Sequence, residues 1–338
     1  MSNAYQNQHY VSQVLLRRFA DAGYLQRFSV QSNTWKRVSP KRVFSGLGYT
    51  QLLAYGETDN SLEASFAKIE SAFPLTLKAL DDAATRSISV LPVNLYENLF
   101  WYCAYVWRIS PFAKAKAPGE FVMQLDSDLK NQKTNLLQAI GIPEGDINTI
   151  QQLHANGVKF ILRGDDYLQV VYRIQFVRRC REDYWWFRHF AKWTICNSPI
   201  ELPISDIALV QYFDRALDTT FYLLPISPNL ILIGSIKTGT HHQSTDTTIR
   251  GSTLNVEEAE YCLDAICLSA VTALIGKSRT HDVRALRNRA REKKIRFCKI
   301  KDLESVLSAG TKPFNGPLIV FPVAKGEYVK YVKSFIGN

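Results

Sequence analysis

The short motifs that mark nucleotide-driven, dehydrogenase, hydrolase-elbow and zincin chemistry are missing from this sequence. It has no P-loop, no GxGxxG after a strand, no GxSxG elbow and no HExxH pair. Its six cysteines (103, 180, 196, 262, 267 and 298) are scattered through apolar or helical stretches and form no CxxC pair. That argues against a cysteine zinc site and leads us to expect reduced, mostly buried thiols in a cytoplasmic protein. Apolar runs such as Phe221–Leu224 and Leu230–Ile233 have the length of strands, and none approaches a membrane span. The polar N-terminus lacks the apolar core of an export signal. None of these absences excludes a metal-dependent nuclease, whose acidic ligands are dispersed along a chain.

With 338 residues, 46% hydrophobic and 21% charged, the sequence is that of a globular chain with a substantial core. Its net charge is +10, and the excess is local. Between Lys277 and Lys301 eleven basic residues face only Asp282 and Glu292, a net +9. Arg284, Arg287, Arg291 and Lys294 follow three- and four-residue steps there, so on a helix they form one basic stripe. Like charges that close repel one another unless an anion screens them. The stripe therefore points to a polyanion partner, nucleic acid first, with an acidic protein as the other candidate. The helix lacks the apolar aromatic face of a membrane-surface helix, so no membrane partner is expected.

Pattern along the chain predicts an N-terminal hairpin (residues 24–30 with 35–38), then a helix from about 62 to 84 with Pro74 inside it. An aromatic helix follows over 93–110, then helices over 119–140, 148–162 and 165–190. Short strands are predicted at 193–196, 207–211, 221–226 and 230–235, followed by a polar loop over 238–252. A helix over 256–275 leads into the basic segment, treated as helix, and strands at 296–301 and 318–321 close the chain. The expected fold is therefore α+β: a single mixed domain over 1–338 with an N-terminal hairpin, a helical middle and a C-terminal half rich in short strands.

The opening Gln8-His9-Tyr10-Val11-Ser12-Gln13-Val14-Leu15-Leu16-Arg17-Arg18-Phe19 stands out. Residues 13–20 read as an amphipathic helix with His9 at or just before its N-terminus, where free N–H groups favour a neutral imidazole. His9 is thus a candidate general base or metal ligand, or else a buried residue that pins the N-terminus. This segment resembles the opening motif, QHYVPQxYLRxF, of the bacterial and phage family called domain of unknown function 4238. The resemblance continues through Leu62-Glu63 and Ile69-Glu70, Trp107-Arg108-Ile109-Ser110-Pro111, Ile204-Ser205-Asp206 and Leu223–Pro228, covering about 6–275. Ser12, Ser110 and Ala208 depart from the family pattern. The family has no established activity; its genomic setting implies a defence system.

Glu63 and Glu70, seven residues apart, share a helix face and together with Asp206 are candidate ligands for a divalent metal, Mg or Mn. Each has a plainer reading: a solvated helix face for the glutamates, a capping or Asx-turn role for Asp206. Arg108, in the most apolar helix, either clamps a phosphate or pairs internally with Glu63, Glu70 or Asp206. His241, His242 and Asp246 form a weaker cluster. Asp183, Tyr184, Trp185, Trp186, Arg188, His189 and Trp193 read as core first and a base-stacking surface second. The leading expectation is a nucleic-acid-acting protein, a metal-dependent nuclease. In it Glu63, Glu70 and Asp206 hold the metal, His9 and Arg108 are catalytic, and Arg284, Arg287, Arg291 and Lys294 grip the backbone. The alternative is a non-catalytic binding module in which the same polar residues form a buried network.

Overall fold

The structure is a computed structural model that describes residues 7–47, 52–54, 57–59, 61–110, 127, 129–131, 133, 144–156, 159–162, 180–214, 217–237, 247–279, 281–292 and 318–321. The chain divides into two compact units, residues 1–49, 63–112 and 180–299 in one and 50–62, 113–179 and 300–338 in the other. The first contains β1 (Asn7–His9), α1 (Gln13–Arg17), β2 (Leu25–Ser29), β3 (Thr34–Val38) and β4 (Ser45–Leu47). After these come α2 (Ser61–Ala84), β5 (Ile88–Val90), α3 (Val93–Ile109) and a helix, α4, described over 180–189. Then follow β6 (Lys192–Asn197), β7 (Ile204–Ser205), β8 (Val210–Asp214), β9 (Thr219–Ser227), β10 (Leu230–Lys237) and β11 (Thr248–Thr253). α5 (Val256–Ser269), β12 (Ala273–Gly276) and α6 (Val283–Glu292) complete it. In the second unit the described elements are a hairpin of Leu52–Ala54 with Glu57–Asp59, a helix Glu144–Ala155, and strand Lys159–Leu162 parallel to Leu318–Phe321.

The six-stranded sheet has the order β8-β9-β10-β6-β11-β5, antiparallel except where β11 runs parallel to β6. Alternation along its strands divides the apolar side chains between two cores. Leu224, Leu232, Trp193 and Ile195 meet Phe73, Leu80, Leu99 and Phe100 of α2 and α3 on one face. On the other, Leu223, Ile231 and Cys196 meet Cys262, Leu263 and Ile266 of α5. A four-stranded antiparallel sheet, β7-β12-β2-β3, is shared in the same way, Leu25 and Ile275 going to the first core, Phe28 and Leu274 to the second. The fold is α+β, with the expected N-terminal hairpin formed by β2 and β3.

α2 and α3 are clasped by Asn98, which donates to the Ile69 carbonyl at 3.1 Å and accepts from the Thr76 hydroxyl at 2.8 Å. The clasp sits where Pro74 removes a donor from the helix interior. α1 ends sooner than its pattern suggests. Beyond it Ala22 (φ 47°) and Gly23 (φ 79°) make a two-residue turn across which Asp21 and Tyr24 exchange backbone hydrogen bonds of 2.8 and 3.0 Å.

Several expected boundaries shift. The helix predicted over 256–275 stops at Ser269 and its last apolar residues are β12, because a short buried apolar run reads alike as helix or strand. The predicted loop over 238–252 ends in β11, and the end of the predicted helix 148–162 is strand Lys159–Leu162. The strand expected at 207–211 begins three residues later, at Val210. The helix expected over 119–140, the 165–179 part of the helix expected over 165–190, the strand at 296–301, and His241, His242 and Asp246 fall outside the described residues, apart from isolated positions in the first.

Candidate nucleic-acid interface

His9 closes β1, and both of its ring nitrogens are engaged. The Val43 carbonyl, 3.0 Å from Nδ1, can only accept, so Nδ1 carries the proton and donates. Nε2 then accepts from the Gln13 side-chain amide at 2.8 Å, while the other end of that amide accepts from Arg17 at 3.3 Å. The geometry is that of a pin holding the opening segment to the strand pair β1–β4. Arg18 continues the fastening with two bonds, 2.9 and 2.6 Å, to Asp81 on α2.

Asp206 is completely buried and occupied. Its carboxylate accepts from the Val271 N–H at 2.9 Å and from both the N–H and the hydroxyl of Thr272 at 2.6 Å. These bonds fasten the end of β7 to the bend between α5 and β12. The Tyr10 hydroxyl reaches Thr272 in the same place; burial first, and the Asp206 charge second, push its pKa up to about 12. Asp206 is thus engaged by donors 65 and 66 positions away rather than in the local capping or Asx turn read from sequence.

Arg108, near the end of α3, forms a two-point ion pair with Asp183 of α4, Nε to one carboxylate oxygen and a terminal nitrogen to the other at 3.0 Å. This is the internal-pair reading with a different partner from the three carboxylates anticipated. The Cys180 thiol lies nearby, raised well above its ordinary pKa by burial and then by the Asp183 charge. Glu63 and Glu70 both lie on α2, and the side chain of Glu63 is outside the described atoms. Glu70 faces Tyr102, a fully buried phenol raised by burial and then by the Glu70 charge. Among the described residues no three of His, Cys, Asp and Glu come together as a group that could hold a metal ion.

The basic helix divides its arginines between two tasks. Val283 and Ala290 are buried in the second core, and Arg287 beside them donates to the Ala270 carbonyl at 2.9 Å. Burial and then the Arg291 charge lower its pKa. Arg289 forks onto Asp264 of α5 at 2.8 to 2.9 Å and reaches Glu260 at 3.3 Å, and its hydrogen bond to Asp264 raises its pKa. Arg284, Asn288 and Arg291 occupy the outward face at i, i+4 and i+7 and are exposed. Of the stripe read from sequence, Arg284 and Arg291 point outward, Arg287 is turned into the body of the unit, and Lys294 lies outside the described residues. The Arg289–Asp264 clasp was missed. Its signal was present, since an acid inside the apolar run Tyr261–Cys267 needs a partner.

The aromatic cluster over 183–193 is also divided, between α4 and β6. Phe187 and Trp193 are core, whereas Trp185 and Trp186 are exposed, in contact with each other and with Phe190. No described helix is long and apolar enough to cross a membrane.

Against known proteins, residues 7–139 match the family described as protein of unknown function (DUF4238). The matched stretch holds His9, Glu63, Glu70 and Arg108; Asp206, the strand at 223–228 and the basic helix lie beyond it. No curated protein and no solved structure matches the chain.

Proposed function

Because residues 7–139 belong to the DUF4238 family, whose description assigns no activity, we propose a function from the chain's own surface: it binds nucleic acid through α6. The observation that carries this reading is the helix's division of labour. Arg287 and Arg289 hold α6 to the body of the unit, so Arg284, Asn288 and Arg291 are presented as a preset row of donors. Such a row suits phosphates spaced along a backbone and carries no base-reading element, so the binding is to backbone rather than sequence. His9, Arg108 and Asp206 serve as fastenings, which supports a binding module over a nuclease. The five described cysteines are free and buried, in keeping with a reducing, cytoplasmic setting.

The test uses the whole chain with labelled single- and double-stranded DNA and RNA, each with Mg²⁺, Mn²⁺ or EDTA. A retarded, intact probe in every condition, weakened in the double variant Arg284→Gln/Arg291→Gln, is the expected result. No retardation at low salt, or retardation indifferent to both arginines, removes the reading. Metal-dependent cleavage would restore the nuclease.

A further inference from the structure

Between Asp21 and Glu57 the chain has no acidic residue, while Arg27, Lys36, Arg37, Lys41 and Arg42 all fall in that stretch. Three of these, Arg37, Lys41 and Arg42, line a cleft of about 500 Å³ together with Tyr24, Val38 and Ser39. The Arg37 guanidinium lies over the Tyr24 ring, its central carbon 3.9 Å from the ring centroid, and Tyr24 itself is 46% exposed. Each lining residue is placed by the fold. The two-residue turn at Ala22-Gly23 sets Tyr24 at the head of β2, and the β2–β3 register sets Arg37 opposite Gln26. Lys41 and Arg42 sit on a short 3₁₀ turn, Pro40–Arg42, whose first free N–H is capped by the Ser39 hydroxyl at 3.4 Å.

Among the described residues no carboxylate pairs with Arg37, Lys41 or Arg42. Three cations around one cleft call for an anion between them. A guanidinium backed by an aromatic ring keeps its outer face for another flat π-system. The cleft thus offers two recognitions at once, a stacking plane and a phosphate seat. The start of the basic segment reaches the same sheet. Gln26, between Arg37 on β3 and Gly276 on β12, accepts from Arg279 at 2.8 Å.

We propose that this cleft seats one unpaired nucleotide, the base on the Arg37–Tyr24 pair and the phosphate between Lys41 and Arg42. The ligand class is then single-stranded nucleic acid, because a duplex keeps its bases stacked inside. This rests on the nucleic-acid reading of α6. The test compares a labelled single strand of about 15 nucleotides with the duplex of the same length, by fluorescence anisotropy on the full chain. Tyr24→Ala and Arg37→Lys each weaken the single strand about tenfold and leave the duplex within about twofold. Arg37→Lys keeps the charge, so its loss reports the flat face. Lys41→Gln/Arg42→Gln, on an exposed turn, provides a second check by weakening the same probe. Equal losses on strand and duplex, or no loss in any cleft variant while Arg284→Gln/Arg291→Gln weakens both, would overturn the cleft and leave the α6 reading standing. If the wild type binds neither probe, the α6 reading falls and the cleft falls with it.

Discussion

Asp206 accepts three hydrogen bonds from two adjacent residues and so fastens the end of β7 to the bend before β12. Asp206→Asn keeps the size but turns an amide donor toward donors, at a cost of about 2 kcal/mol. Thermal melting should show the loss equally with and without Mg²⁺, whereas a metal ligand would lose only the metal's contribution. Tyr10 makes the same knot sensitive to alkali. Its hydroxyl ionises near 10.0 when free and at about 12 when folded, so the folded chain holds that proton more tightly. The stabilisation is complete below pH 10 and is lost as pH rises through 12. Urea midpoints measured across that range should fall less steeply in Tyr10→Phe; an identical fall would place the titration elsewhere. Sequence could propose Asp206 and Arg108 as polar residues needing partners, because burial of charge sets that demand locally. It could not choose Thr272 or Asp183, because the partners lie 66 and 75 positions away.

The clasp between α5 and α6 is asymmetric. Asp264 is fully buried whereas the Arg289 side chain is 36% exposed. Arg289→Ala therefore takes the clasp from a buried carboxylate and should cost about 3 kcal/mol, while Asp264→Ala releases an arginine into water and should cost less. Chemical denaturation of both variants decides the order. At β11 the constraint is one of space: a Cβ on Gly251 would lie 1.9 Å from the Arg86 carbonyl oxygen and 2.6 Å from that of Ala83. Gly251→Ala should lower the melting temperature by several degrees, about 2 kcal/mol, because backbone on both sides must shift. This strand was hidden in the sequence because Thr, Arg and Gly replace the apolar alternation that announces strands. The hairpin β2–β3 and helices α2 and α3 were legible because their periodicities are local and long. β12 was not, since only the three-residue bend at 270–272 separates it from α5.

On the proposed nucleic-acid reading, the net charge of +10 makes the grip of α6 salt-dependent. Removing Arg284 and Arg291 should lower the slope of log affinity against log salt by about 2, one unit for each released phosphate contact. Anisotropy titrations over a salt series measure it, and an unchanged slope would mean that neither arginine meets a phosphate. The interior carries a different lesson. The family-matched stretch supplies α2, α3 and the edge strand β5, but the sheet they cover is built from residues 192–253. Phe100 packs against Trp193 with ring centroids 5.3 Å apart, and the strand that β5 pairs with among the described residues is β11. A nascent chain leaving the ribosome with only its first 139 residues out would have the N-terminal part of the first core, Leu15, Leu16 and Phe19 among it, but not the sheet residues Ile195, Leu224 and Leu232 that α2 and α3 also pack against. The stretch that matches the family therefore closes its core only after residues well beyond it have been made.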